Sequence, residues 1–341
     1  MKKSLLPRLD RRSFLAGTGA AAAGLTFLPK RPFAAGEAEL NFYNWDTYIG
    51  ETTLEDFEDA SGIEVSMDLF ADNDELFAKL KEGNPGYDVI VPTNDYAERM
   101  IQAGMLIPLD HSAIPNFANV SPNFQDAAFD PGRQYTMPYM WGSIGIGYRK
   151  SVVGEELPNS WAYIFESDRF SGRIALLSEA TTMIGLALKY LGYSYNSMDP
   201  AEIAEAEALI IRQKPHIKVF AEDNGQDLLL AEEVDICCEW NGDLLQVMAE
   251  DDDLAYLVPE EGGYLWQDTL AIPTGAPHPQ NAHAFINFLL DAEVGAAIAD
   301  YIQYATPNQA ARELMDESYR DNPAIFPSDE IIAKSEPGLY L

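Results

Sequence analysis

Basic residues are scarce in this 341-residue sequence: 22 Lys and Arg stand against 55 Asp and Glu, a formal net charge of −33. Such a chain repels phosphate backbones, which excludes nucleic-acid binding as its function. Cysteine is nearly absent, and the two that occur, Cys237 and Cys238, are adjacent in a strand-like run. Neighbouring strand side chains point to opposite faces, so no structural disulfide is expected. Histidine is equally sparse: His111, His216, His278 and His283 are scattered, with no metal-ligand spacing, and neither a metal nor a cofactor is expected. Catalytic signatures are missing too. Gly142 and Ser143 are adjacent, so there is no nucleophile elbow, and Gly145-Ile146-Gly147 lacks the third glycine of a dinucleotide fingerprint. No Walker A or H-E-x-x-H pattern occurs, and no catalytic residue can be named; a non-enzymatic binding role is expected. The absence of any 20–50-residue period or sustained heptads excludes solenoids and coiled coils.

Apolar residues make up 47% of the chain, enough for a real core despite the charge. The length suits two lobes or one large domain. The first 36 residues are read separately. Arg11-Arg12-Ser13-Phe14-Leu15 is a twin-arginine pair, and Ala16–Leu28 is an apolar run rich in small residues and short for a membrane span. With Ala34-Ala35-Gly36 as a cleavage point and no cysteine there for a lipid anchor, residues 1–36 read as a twin-arginine export signal and the mature protein as periplasmic. The leader holds Lys2, Lys3, Arg8, Arg11, Arg12, Lys30 and Arg31 against Asp10, so what remains is more acidic still.

From Leu40 onward strand and helix patterns alternate. Leu40–Tyr43, Ile63–Phe70 and Asp88–Pro92 read as strands; Thr53–Ala60, Asn73–Lys81 and Asn94–Ala103 read as helices, with Gly62 and Gly104 placed to end two of them. Strands linked by such helices run parallel, and open sheets of this kind bind ligands beyond the carboxyl ends of their strands. Those ends fall at Asn44-Trp45-Asp46, Phe70-Ala71-Asp72 and Thr93-Asn94-Asp95. After a Gly-rich β-like segment, Met137–Tyr148, a second α/β series follows: strands at Arg173–Leu177, His216–Phe220 and Val234–Glu239, helices at Thr182–Leu191, Pro200–Arg212, Gln226–Glu233 and Gly242–Glu250. Gly262–Pro273 reads as a return crossing, and helices around Phe285–Leu290 and Val294–Tyr304 complete the chain. The expected architecture is α/β with two lobes, residues 37–139 plus 267–341 and residues 140–266, joined by two hinge crossings.

One chemical pattern recurs at strand ends and crossings: an aromatic paired with a carboxylate. Trp45 stands with Asp46 and Tyr48, Trp240 with Asp243, and Trp266 with Asp268. Aromatic faces attract cations by roughly 0.5–2 kcal/mol each, and a carboxylate bonded to an ammonium adds about 1.5–3 kcal/mol. Planar walls suit an extended methylene chain, and spaced acids would hold its charged nitrogens.

The segments Asn44-Trp45-Asp46-Thr47-Tyr48, Tyr87–Pro92, Met137–Gly142, Trp240-Asn241-Gly242-Asp243, Trp266–Pro273 and Tyr304–Asn308 make the chain resemble the periplasmic spermidine/putrescine-binding proteins of ABC importers, in order over nearly the whole mature sequence. The resemblance implies a type II periplasmic binding protein that closes about a hinge, takes a polyamine and serves membrane permease subunits as a monomer. It implies an aromatic box of Trp45, Tyr48, Trp240, Trp266 and Tyr304, an amine ligand in Asp268, a polar contact in Thr93, and in Asp243 an acid that the putrescine-binding members carry. Ala180 and Met183 fall where spermidine binders place acids for a terminal amine. Glu179 lies one residue away, and Asp46 and Asp95 replace neutral residues of the relatives. A putrescine-like diamine is therefore expected before spermidine.

The rival readings are the same scaffold with another cationic amine or amino-acid derivative, a sensor module signalling to a receptor, and an exported α/β enzyme acting on an amine. The acid excess carries its own expectation. Repulsion among carboxylates is screened by salt, so the thermal midpoint of the mature chain should rise markedly between low and molar NaCl; a flat response in a thermal melt would exclude salt-adapted stability.

Overall fold

Residues 38–154, 159–222 and 224–340 are described by a computed structural model; the export leader and its cleavage point lie outside them. Strand β1 (Glu39–Trp45) is followed by helix Thr53–Ser61, which buries Phe57 and ends at Gly62, whose φ of 76° is the left-handed conformation glycine adopts freely. Strand β2 (Glu64–Phe70) leads into helix Asn73–Lys81, where the Asp72 side chain accepts from the Glu75 amide and buried Leu76 and Leu80 face inward. Strand β3 (Val89–Ile90) then precedes helix Asn94–Gln102. β1 runs parallel to both β2 and β3, with Trp45 opposite Phe70 and Tyr43 opposite Ile90. The carboxyl ends of these strands therefore meet along one edge, as the alternation requires. β3 is shorter than Asp88–Pro92: the Asp88 carboxylate is engaged by the Asn41 and His278 amides, and Pro92 has no N–H for a ladder.

The 14-residue strand β4 (Thr136–Arg149) organises the middle of the molecule. Its first half pairs antiparallel with β9 (Leu265–Ala271), with an irregularity between Pro138 and Met140. Its second half pairs antiparallel with β7 (Ile236–Trp240) and β8 (Leu254–Leu257). β5 (Ile174–Leu177) lies parallel between β7 and β6 (Ile217–Ala221). The sheet order is β2-β1-β3-β9-β4-β7-β5-β6, with β8 beside β4. Two parallel groups are thus joined through the antiparallel β4–β9 pair. Strand β8 was hidden from the periodicity because it follows the run Glu250-Asp251-Asp252-Asp253.

One cluster of buried side chains runs from Leu40 and Phe42 through Met140 and Ile144 to Ile174 and Leu209. Phe285 anchors it, with no exposed surface and edge contacts to Phe42 at 5.1 Å and Phe57 at 4.9 Å. Cys237 and Cys238 are both buried free thiols. A large-to-small change at such a centre costs about 3–5 kcal/mol. Phe285→Ala should lower the urea-derived unfolding free energy by that amount, whereas Ile211→Ala, at a side chain 58% exposed, should change it by less than about 0.5 kcal/mol.

Candidate functional site

The peptide after β1 folds back on itself. Thr47 takes φ 50°, and buried Asn44 donates its amide to the Tyr48 carbonyl at 3.0 Å. This turn sends Asp46 outward, exposed, with its carboxylate accepting from the Thr47 amide at 2.8 Å, and brings Tyr48 into the interior, 5% exposed. Trp45 packs on Phe70 at 4.5 Å and donates its indole N–H to the Val91 carbonyl at 2.9 Å.

Tyr48 begins a row of rings. Its ring meets Tyr139 and Tyr304 edge to face, each at 5.3 Å; Tyr304 meets Trp266 at 5.1 Å, and Trp266 meets Trp240 at 5.8 Å. Trp240 then contacts Tyr264 at 6.4 Å, and Tyr264 stacks on Tyr195 at 5.0 Å with an 8° interplanar angle. Edge-to-face pairs hold about 0.5–1.5 kcal/mol each beyond their burial. Four of the five expected box residues, Tyr48, Trp240, Trp266 and Tyr304, belong to this row, and Trp45 stands beside Phe70 instead. Tyr139, Tyr195 and Tyr264 extend it beyond the residues that the sequence marks. Tyr139 and Tyr264 sit in segments already noted, whereas nothing around Tyr195 signals it.

The motif Trp240-Asn241-Gly242-Asp243 divides the labour of holding the row. Trp240 ends β7 and supplies a ring. Asn241, fully buried, accepts from the Ser143 amide at 3.2 Å and donates to the Ala324 carbonyl at 3.1 Å, tying β4 to the C-terminal region. A Cβ at Gly242 would lie 2.4–2.5 Å from ring atoms of Tyr304, and one at Gly142 would lie 2.5 Å from the Trp266 indole. Only glycine lets these two rings lie directly on the backbone. Asp243 occupies the first turn of helix Asn241–Met248, half-buried.

Asp268, in β9, is 6% exposed. The Thr93 hydroxyl donates to its carboxylate at 2.7 Å, and Asn73 donates to the same hydroxyl at 2.9 Å. The Thr269 amide and hydroxyl both donate to the Pro92 carbonyl at 3.0 Å, and the Gln267 amide donates to Asn94 Oδ1 at 3.0 Å, so this loop is laced to β9. The Tyr48 hydroxyl also faces this carboxyl, without a hydrogen bond of good geometry, and the buried Trp266 N–H has no partner among the described residues. Burial pushes the Asp268 carboxyl up to about 7, against the lowering effect of Thr93 and Tyr48; Asp95 and Glu179 raise it further. No Lys or Arg among the described residues forms an ion pair with Asp268.

Asp95 and Glu179 lie toward the other end of the row. Both oppose ionisation of the Tyr195 and Tyr264 hydroxyls, whose loss of a proton burial already disfavours. The Asp95 carboxyl is itself raised, chiefly by burial, and Glu179 accepts from the Thr182 hydroxyl at 2.9 Å at the start of helix Ala180–Tyr190. No group of His, Cys, Asp and Glu among the described residues could hold a metal ion. Aromatic walls with acids set along them form a surface for an elongated cation.

The Asp268 carboxyl ionises near 7 in the native state and near 3.8 when unfolded. Between those values the native chain holds the extra proton, so its stability falls as pH rises, by on the order of 4 kcal/mol once the native carboxyl is ionised, and below the lower value the contribution vanishes. Asp268→Asn keeps an acceptor for Thr93 and removes this cost. Urea unfolding of ligand-free proteins should show the advantage of the variant growing by roughly 2–3 kcal/mol between pH 5 and pH 8; a pH-independent difference would contradict a raised carboxyl.

Residues 52–327 match the family of bacterial extracellular solute-binding proteins. The chain is 33% identical over 323 residues to the spermidine/putrescine-binding periplasmic protein of Salmonella typhimurium, covering 94% of this chain and 91% of that one. It is 34% identical to a putrescine-binding periplasmic protein of Pseudomonas aeruginosa, over 88% of this chain and 87% of the relative. Among solved structures, the spermidine/putrescine ABC transporter substrate-binding protein of Streptococcus pneumoniae superposes with a TM-score of 0.79 at 33% identity, covering 89% of this chain and 93% of that one. The α/β fold is that of type II periplasmic binding proteins. The chain belongs to the bacterial extracellular solute-binding proteins, among the periplasmic spermidine/putrescine-binding proteins of ABC transporters.

Proposed function

We propose that the protein captures a polyamine outside the cytoplasm, a putrescine-like diamine in preference to spermidine, and delivers it to the permease subunits of an ABC importer. The observation that carries this reading is a buried carboxyl, Asp268, without an ion-pair partner among the described residues, set against a continuous row of aromatic rings from Tyr48 to Tyr195. A methylene chain would lie along the rings, with one ammonium at Asp268 and the other met by Asp243 or by Asp95 and Glu179. The names of the relatives, which include both spermidine/putrescine-binding and putrescine-binding proteins, support the class of ligand. Ala180 and Met183, apolar where spermidine binders place acids, favour the diamine.

In this reading the molecule works as two lobes, residues 37–139 with 267–341 and residues 140–266, with β4 and β9 as the crossings about which they close. The protein reaches the periplasm by the twin-arginine route, acts as a monomer and catalyses no reaction. Ligand capture is coupled to proton release: an ammonium favours the ionised Asp268, so below pH 7 a proton competes with it.

Isothermal titration of the refolded, ligand-free chain from residue 37 onward, with putrescine, cadaverine, spermidine and spermine at fixed salt, tests this reading. A diamine should bind at micromolar affinity or tighter, about −8 kcal/mol or better, weakening by up to about tenfold per pH unit below 7. Asp268→Asn should weaken it by about 100-fold, the share of roughly 3 kcal/mol that a charged hydrogen bond carries. Heat from none of the four amines would overturn the substrate assignment, and a spermidine preference would overturn its diamine part.

A further inference from the structure

The C-terminal segment Ser335–Tyr340 is held from two sides. On one side the Glu336 carboxylate accepts from Lys189 at 2.9 Å, from the Ser194 hydroxyl and from the Tyr195 amide at 3.2 Å. Asn196 grips the next residues with both ends of its amide, donating to the Pro337 carbonyl at 2.9 Å and accepting from the Leu339 amide at 2.9 Å. On the other side buried Asn94 donates to the Gly338 carbonyl, the Tyr340 amide donates to Glu98 at 3.3 Å, and the Arg99 guanidinium lies 5.7 Å from the centre of the Tyr340 ring. Between these anchor points the segment crosses the ring row: a Cβ at Gly338 would lie 3.0 Å from the Tyr264 ring.

The anchors belong to the two parts proposed above to move. Asn94, Glu98 and Arg99 lie on the helix that follows Thr93, and Asn94 also holds β9 next to Asp268. Ser194, Tyr195 and Asn196 lie in the loop that brings the last ring of the row. A segment bonded to both can keep all its bonds only while the two stay together. The segment is also lightly seated: Leu339 and Tyr340 are 44% and 43% exposed, and a cavity of about 660 Å³ lined by Lys189, Tyr193, Lys334 and Glu336 runs alongside its start. Gly338 is its buried point, and its departure uncovers Asn94 and the Tyr264 ring.

We infer that residues 337–340 form a latch across the mouth of the site that holds the closed state and slows ligand release. The inference rests on the binding reading proposed above. It predicts that a chain ending at Glu336, and separately Asn196→Ala, speeds dissociation of putrescine about tenfold in stopped-flow displacement. Because the truncation removes both partners of Asn196, adding Asn196→Ala to it should change nothing further. Dissociation rates equal to that of the intact chain in both single variants would overturn the latch, as would fully additive effects. Should no amine bind the intact chain, the substrate assignment fails on its own and X-ray scattering from the ligand-free proteins decides: a larger radius of gyration for the truncated chain supports the latch, and superimposable profiles overturn it.

Discussion

The hydrogen bond from Thr93 to Asp268 joins the end of the first βαβ unit to the strand returning through the middle of the sheet. Much of the site depends on it. It fixes an acid where burial opposes its charge, and it does so with a hydroxyl rather than with a cation of the described residues. An internal Lys or Arg would neutralise Asp268 permanently and leave nothing for a ligand to gain. The Thr93 hydroxyl leaves the carboxyl raised, and in the proposed reading it ionises when a cationic ligand arrives.

The rings around it are placed by backbone rather than by their own packing alone. Gly142 and Gly242 remove the Cβ atoms that would displace Trp266 and Tyr304, and Asn241 clamps β4, the helix after β7 and the Ala324 carbonyl in one place. The antiparallel β4–β9 pair carries Trp266 and Asp268 on the strand that also contacts Thr93. Sheet topology and ligand chemistry therefore meet in the same few residues.

Much of this is legible in the sequence, for physical reasons. Gly62 and Asp72 act through local geometry, so the helices they bound can be read from residues a few positions away. The parallel order follows from the lengths of the connecting helices. Trp240, Trp266 and Asp268 stand out because aromatics pair with acids at a strand end and in the return crossing. The interactions that escape are those between distant segments: Tyr195 stacks on Tyr264 across 69 positions of sequence, and no periodicity encodes such a contact. Asp46, which the sequence offers as a ligand residue, is exposed and accepts a hydrogen bond from the neighbouring Thr47 amide.

The disposition of acids along the ring row bears on selectivity. Asp268 acts on Tyr48, and Asp95 and Glu179 act on Tyr195 and Tyr264 as well as on Asp268 itself. In the proposed reading, an amine with two terminal charges meets these acids while its methylenes cover the rings. A longer amine must place a further nitrogen over the aromatic stretch or beyond it, where Ala180 and Met183 supply no acceptor on their side chains. A buried ammonium without a carboxylate costs more than the ring faces return, about 0.5–2 kcal/mol each. In the proposed reading, discrimination between diamine and triamine rests on the acid that is absent as much as on those present.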